Sequence, residues 1–537
     1  MKSDGPGEKY SDDKAQRPSI DTHIFIPAIL ISCAAIIFLL YDRENAARLS
    51  SAMIEYITAD WGWLFVLSGF AAFIFSLWLG FGRYGHVKLG RDGEYPEFSN
   101  ISWVAMMFSA GIGIGLVNWS FIEPIHYMLT PPLGIPAHSP ASAEWGHMYA
   151  QFHWSFVPWA LYALASVPIA YVLYVKRVPY MRMSTACEKA FEDRKLKPAS
   201  RKVLSKVIDT LVILGMVGGA STSLGLGVPL VSAFTANLFN IESSFLMEMA
   251  VLAFWTVIFG VSVYKGLKKG IQILSDVNIG LSVVILLFIL IAGPTVFILS
   301  MTANSMGLMF DNFLRMSFWL DPIENGGFPN AWTLFYWAWW ITYAPTMGLF
   351  FGRISKGRTI RELVFGVIGW GSLGCIAFIT ICGGYAIDLE ISGALNVSEL
   401  LLAQGGPATV VDIVNTLPFS GLVSVLFTLL CFVFLATTVD SAAYVLASIS
   451  TKNLKGTEEP AAANRLVWAL VLAMIAVGLL YVEGLTIVQS STIVTALPLI
   501  PILFLVAYSL KLSLKEDFGH QVKPEILVIN TDKDKDK

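Results

Sequence analysis

Six aromatic residues share one helix face in the run AWTLFYWAWWITYAPTMGLFFG at 331–352. After Trp332 come Phe335, Tyr336, Trp339, Trp340 and Tyr343, at distances of three, four, seven, eight and eleven residues, the spacing of a single helical stripe. An aromatic belt at a membrane interface accounts for a ring at the end of a span, such as Trp332. It does not account for Trp339, Trp340 and Tyr343, about halfway across. No acidic residue stands among them. Such a group suits a cation with no hydrogen bond to donate, a quaternary ammonium, which ring faces attract by about 0.5–2 kcal/mol each.

A second aromatic set, His153, Trp154, Trp159 and Tyr162, lies in the apolar stretch 143–176. Alone it reads as packing; beside the first set it offers the other walls of a cage. The stretch 98–128 contains Ser109-Ala110-Gly111-Ile112-Gly113-Ile114-Gly115. Glycines at alternate positions weaken a helix. They permit close helix packing, or a discontinuous helix whose unwound carbonyls face a mid-membrane site. Pro345 followed by Gly348 gives 331–352 an interruption of its own, because proline removes a backbone donor. Two interrupted helices in one chain point to a transporter binding site. Thr437 and Thr438 precede Asp440. Hydroxyls and freed carbonyls are ligands for Na⁺, a hard cation; the alternative is that both threonines bond back within their own helix. The other ionisable residues in apolar stretches are Glu123, His147, His153, Asp209 and Asp276, a class that faces the protein interior and often serves coupling.

The elements that position these groups follow from composition. The 537 residues carry 36 Lys+Arg and 39 Asp+Glu, a net charge of −3, with 55% hydrophobic and 14% charged residues. Mean hydropathy is +0.65. Soluble domains carry about 25% charged residues, so the composition argues against a water-soluble enzyme, a disordered chain or a nucleic-acid binder. Apolar stretches long enough to cross a bilayer, about 20 residues, recur near 24–41, 60–81, 98–128, 143–176, 203–235, 245–264, 270–301, 331–352, 361–388, 418–449, 465–482 and 486–511, twelve spans in all. Basic loops such as 177–202 alternate with 129–142, 236–244, 389–417 and 483–486, which hold no Lys or Arg. The alternation places both termini in the cytoplasm of a multi-pass plasma-membrane protein, the inner membrane if bacterial.

The expected fold class is an all-α membrane protein. A polar tail at 1–22 leads into two helices within 23–97. The interrupted third and eighth spans stand five apart and open two five-helix repeats, 98–301 and 331–512, which an odd unit makes inverted in topology. Between them, 302–330 carries an amphipathic interfacial helix within 303–328, and 513–537 is a polar tail. Cys33, Cys187, Cys375, Cys382 and Cys431 show no metal-site spacing and no outside-loop pair, so no structural disulfide is expected.

The run GGFPNAWTLFYWAWWITYAPTMGLFFGRISKGRTIRELVFG at 326–366 closely resembles the signature of the betaine/carnitine/choline transporter family. MMFSAGIGIGLVNWSFIEPIHYM (106–128), FHWSFVPWALYAL (152–164), SLGLGVPL (223–230), KGIQILSDVN (269–278) and FLATTVDSAAYVLA (434–447) match it in the family's order. The resemblance implies a twelve-helix, leucine-transporter-like fold, a homotrimer, and transport of zwitterions or cations bearing a quaternary ammonium. It implies a substrate cage at Trp154, Trp159, Tyr162, Trp339, Trp340 and Tyr343, and a sodium site at the backbones of Ser109, Ile112 and Phe434 with the hydroxyls of Thr437 and Thr438. Met347 stands where the family's sodium-independent carnitine/γ-butyrobetaine exchangers have methionine, while Asn278 stands where they place an arginine that replaces the ion. Met216 and Ala220 occupy positions where some members carry hydroxyls of a second sodium site, and neither side chain can serve as a ligand. The tail lacks the long basic helix of osmosensing members.

The leading expectation is a secondary active transporter that takes up glycine betaine, choline, carnitine or an analogue by Na⁺ symport, with no resident cofactor. The substrate carboxylate, where present, meets backbone N–H groups at Gly111, Gly113 and Gly115, near the positive end of a half-helix. Ion-independent exchange, hinted at by Met347, and proton coupling through Asp276 or Glu123 are the alternatives within transport. An intramembrane enzyme lacks a GxGD-like setting for Asp276 and Asp440, and His147 and His153 are six apart, off one helix face. No span carries a polar filter motif of channel type.

Overall fold

A backbone N–H or C=O without a partner is costly in lipid, so long apolar runs fold as helices. The computed structural model describes residues 18–519 except 92, 266–267, 456–457 and 483–484, with the backbone alone at 259–265, 268–275 and 439. The helices run α1 Thr22–Tyr41, α2 Arg43–Phe81, α3 Asn100–Ile112, α4 Gly115–Leu129, α5 Pro140–His153 and α6 Phe156–Tyr174. Two short helices, α7 Met183–Ala186 and α8 Glu188–Asp193, lead to α9 Pro198–Phe239, α10 Phe245–Lys265, α11 Lys268–Ala292, α12 Thr295–Phe318 and α13 Leu334–Ile354. Then come α14 Ile360–Phe365, α15 Gly371–Phe378, α16 Gly384–Ser392, α17 Val397–Gln404 and α18 Gly406–Asn415. The last are α19 Ser420–Ile449, α20 Ala462–Val482, α21 Leu485–Ala496 and α22 Leu499–Phe518. Among the described residues, seven helices are long and apolar enough to cross a membrane, or up to ten if each bent pair counts as one span. This is an all-α, multi-pass membrane protein.

Three of the expected spans differ in detail. The third is broken as expected: α3 and α4 meet at 62°. The eighth is not. α13 runs unbroken through Pro345 and Gly348. Pro345 leaves the Ile341 carbonyl without its usual donor, yet nearly the whole helix is buried, and its glycines let α6 press close. A Cβ on Gly348 would lie 2.8 Å from Ala165, and one on Gly352 2.9 Å from Ile169. That packing holds the helix continuous. The fourth span is interrupted where no break was expected, at Trp154 and Ser155. The seventh ends at Ala292, and after Gly293-Pro294 the chain turns through 110° into α12, so the helix expected within 303–328 begins eight residues earlier, at Thr295. The loop 389–417 holds two helices, α17 and α18, that were not anticipated. All five cysteines are unpaired. The expected tails 1–22 and 513–537 lie mostly outside the described residues, although α22 carries helix on to Phe518.

Two π-helical segments, Gly366–Trp370 and Ile379–Gly383, join α14, α15 and α16 into one bulged span. Such bulges widen a helix locally, and here large rings press on it: a Cβ on Gly366 would meet Trp103, on Gly371 Trp159, and on Gly374 Phe108.

A strap closes the basic-loop end of the molecule. β1 Ser19–Ile20 pairs antiparallel with β2 Thr451–Lys452. Asp21, fully buried, accepts from Lys206 and, at 3.3 Å, from Arg182, whose other nitrogen donates to the Thr451 carbonyl at 2.6 Å. Burial pushes the Asp21 carboxyl up, but the Lys206 hydrogen bond and the charges of Lys206 and Arg182 outweigh it and hold it below its ordinary value. A carboxyl depressed in the folded state stabilises the fold above its unfolded value of about 3.9. That contribution is lost as pH falls through the depressed value. Asp21→Asn is therefore expected to lower the melting temperature at pH 7 by roughly 5 °C. The gap to wild type should close on acidification in a thermal-melt series, and a gap independent of pH would contradict the assignment.

Candidate substrate site

The site is built on two chain breaks and one continuous helix. At the first break Gly113 has φ +64° and ψ −171°, a conformation all but confined to glycine. Each of the three alternate glycines receives a different side chain. A Cβ on Gly111 would lie 2.8 Å from the Trp159 ring, on Gly113 2.7 Å from Thr438 Oγ1, and on Gly115 2.6 Å from the Trp339 ring. The glycines thus serve both purposes weighed from the sequence: they unwind the helix and admit two indoles and a hydroxyl to its backbone.

The second break lies between α5 and α6. Pro158, in the first turn of α6, has no N–H to give the Trp154 carbonyl four residues back. Trp159 Nε1 donates to that oxygen instead, at 3.2 Å. The break swings Trp154 toward α13, where its ring meets Trp339 at 5.9 Å and Trp340 at 5.8 Å, both edge to face. Trp340 also lies 5.6 Å from Trp159 and 4.7 Å from Tyr162. The two aromatic sets form one cluster, with Trp340 touching every ring of the α5–α6 set except His153.

Trp154, Tyr162, Trp339, Trp340 and Tyr343 line a small cavity of about 20 Å³ together with Ala110, Gly111, Ile112, Gly113, Ser223 and Thr438. Its wall holds no carboxylate, lysine or arginine. Tyr162 donates to the Gly111 carbonyl at 3.2 Å, and Tyr343 to Ser223 Oγ at 2.8 Å, so both phenols are tethered with their rings on the cavity. Trp159, Gly115 and Met347 stand behind the wall: Trp159 stacks on Phe351 at 6.4 Å, Gly115 backs Trp339, and Met347 is buried one turn beyond Tyr343.

Beside the Gly113 break, Thr437 and Thr438 both donate to the Phe434 carbonyl, at 2.9 and 2.8 Å, the back-bonded arrangement. Thr438 also lines the cavity, and Ser109 and Ile112 are buried in the last turn of α3. The groups gathered there are hydroxyl and carbonyl oxygens. Among the described residues no group of three or more His, Cys, Asp or Glu could hold a metal ion. An all-oxygen, carboxylate-free set fits a hard monovalent cation better than a transition metal.

The sequence model of the betaine/carnitine/choline family of transporters matches residues 23–519. The chain belongs to that family. It is 35% identical over 510 residues to the glycine betaine transporter OpuD of Bacillus subtilis (strain 168), across 94% of this chain and 96% of the relative. The family is one of membrane transporters, which sets aside the enzyme reading.

Within this betaine/carnitine/choline transporter, the sequence placed the rings but missed what holds them. Ser223 opens the segment SLGLGVPL, but it reaches Tyr343 only through the fold. Glu123 stood out as an ionisable residue in a span and as a candidate proton carrier, with none of its partners visible. It is fully buried and accepts three hydrogen bonds: from Tyr127 at 2.6 Å, Tyr336 at 2.6 Å and the Trp154 indole at 2.7 Å. Pro158 was the available signal for the break that turns Trp154 inward. Of the other ionisable residues, His147, His153 and Asp209 are buried, Asp440 is half-buried, and Asp276 is exposed.

Proposed function

We propose that the protein is a secondary active transporter that takes up glycine betaine, or a closely similar quaternary-ammonium zwitterion, by Na⁺ symport with alternating access. The observation that carries this reading is the uncharged cavity lined by Trp154, Tyr162, Trp339, Trp340 and Tyr343. A trimethylammonium head cannot donate a hydrogen bond, so ring faces are its natural partners. OpuD, named a glycine betaine transporter, agrees with that chemistry.

Two features favour a zwitterion over a bare cation such as choline. The first turn of α4 has no side-chain cap, so the positive end of its dipole is available to a carboxylate. Trp339, on the cavity wall, has a buried indole N–H without a partner among the described residues. Na⁺ would sit between α3 and α19, drawing the Thr437 and Thr438 hydroxyls away from the Phe434 carbonyl and joining that oxygen to the backbones of Ser109 and Ile112. It would fix the unwound end of α3 in the shape that accepts substrate, so the ion gradient drives uptake. The reading includes twelve spans, with α10 and α13 completing the bent pairs, two inverted five-helix repeats, cytoplasmic termini and a homotrimer in the plasma membrane. Exchange without an ion is the second reading, on the strength of Met347. Asn278, buried and without a hydrogen-bond partner among the described residues, supplies no positive charge to stand in for the ion.

Uptake of labelled glycine betaine, choline and carnitine into proteoliposomes, with and without an inward Na⁺ gradient, tests the proposal. Accumulation of betaine only with the gradient is expected. In the same assay Thr438→Ala should raise the Na⁺ concentration for half-maximal uptake about tenfold, the loss of one oxygen ligand. Uptake that ignores Na⁺ and needs substrate inside the vesicle would overturn symport in favour of exchange.

A further inference from the structure

Glu123 is a buried carboxylate with no lysine or arginine partner among the described residues, and it lies one ring away from the cavity. Both of its oxygens are occupied. Oε1 accepts from Tyr127 at 2.6 Å, and Oε2 accepts from Tyr336 at 2.6 Å and from Trp154 Nε1 at 2.7 Å. A longer contact, 3.4 Å, reaches His153 Nδ1. The donors behind these groups all point the same way. Tyr127, having given its proton to Glu123, can only accept from His153 Nδ1, 2.8 Å away. That fixes the neutral imidazole with its proton on Nδ1, leaving Nε2 to accept from Thr333 Oγ1 at 3.0 Å. His153 stacks on Tyr336 at 4.8 Å with the planes 19° apart, which holds the chain flat. Tyr127, Tyr336 and Trp154 thus donate to one carboxyl, with His153 and Thr333 in a chain behind Tyr127, and three donors favour its ionised form.

A buried charge of this kind costs free energy unless it is used or compensated. We infer that Glu123 is the counter-charge of the transported onium, acting through Trp154. Its carboxylate orients the Trp154 ring toward the cavity and, by accepting the indole N–H, leaves the ring face richer in electrons. Its own negative charge adds to the attraction across a dry, low-dielectric gap. Glu123 never touches the substrate. It is a positioning and specificity-determining residue, and it selects for positive charge at the head group where the rings alone select for shape. The inference rests on the onium site proposed above.

The test compares glycine betaine with its neutral-headed carbon isostere, 3,3-dimethylbutanoate, which has the same shape without the positive charge. Purified wild-type protein should prefer betaine in competition binding, and a wild type without that preference would overturn the onium site and this inference with it. Glu123→Gln keeps the side-chain shape and can still accept the indole N–H. It should weaken betaine binding about tenfold while leaving the isostere's affinity within about twofold. Equal losses for both ligands would make Glu123 a structural brace only, and no loss for either would remove it from recognition; both results overturn the inference while leaving the onium site standing. Where Glu123→Gln does not yield folded protein, Trp154→Phe supplies the same reading. It keeps a ring and removes the N–H, so it must lose betaine affinity selectively, and parallel losses for the two ligands would overturn the inference.

Discussion

Replacing Trp340 by alanine is expected to weaken glycine betaine binding about a hundredfold, roughly 2.7 kcal/mol. Trp340 is the ring that joins the two aromatic sets, 5.8 Å from Trp154, 5.6 Å from Trp159 and 4.7 Å from Tyr162. Its loss removes one face of the cage and also the support of three others, since aromatic pairs contribute about 0.5–1.5 kcal/mol beyond the area they bury. Trp340→Phe keeps a ring face and should lose no more than about tenfold. Equilibrium binding of labelled betaine to purified protein decides the matter, and near-wild-type affinity for the alanine variant would place the substrate elsewhere.

A methyl group at Gly113 should abolish transport. Alanine there must hold φ near +64° in a region that side chains avoid, and its Cβ would lie 2.7 Å from Thr438 Oγ1. Either the break straightens or Thr438 moves away, and each outcome disturbs both the cavity wall and the proposed sodium ligands. Sodium-driven uptake by Gly113→Ala is expected to fall at least a hundredfold, on the order of 3 kcal/mol of strain and clash. Gly421→Ala is the control, because a Cβ at Gly421 meets nothing within 4 Å. If Gly113→Ala transports normally, the discontinuity between α3 and α4 is not part of the mechanism.

What could be read from the amino-acid order followed from how locally each feature is encoded. The aromatic stripe on α13 and the run of alternate glycines are short-range patterns with strong backbone or chemical consequences, and both were legible. Pro345 was over-read. A proline always removes a donor, but whether the helix bends depends on its neighbours, and α6 packs so closely on Gly348 and Gly352 that α13 stays continuous. Pro158 was under-read for the converse reason: it lies well inside the stretch 143–176, read as one span, while here it leaves the Trp154 carbonyl to the Trp159 indole and the helix is interrupted beside it. The turn into α12 was placed late because Gly293-Pro294 sits inside an apolar stretch whose hydropathy does not change at the corner. The Glu123 hydrogen bonds join residues from α4, the α5–α6 break and α13, and no local pattern announces such a meeting.

The most direct measurement is the position of the ammonium nitrogen in an experimental map of the protein with glycine betaine bound. The account predicts it within about 6 Å of the ring centroids of Trp154, Trp340 and Tyr162, in the cavity beside the Gly113 break. Betaine found outside that ring cluster, with an unbroken helix running through Gly113, would contradict it.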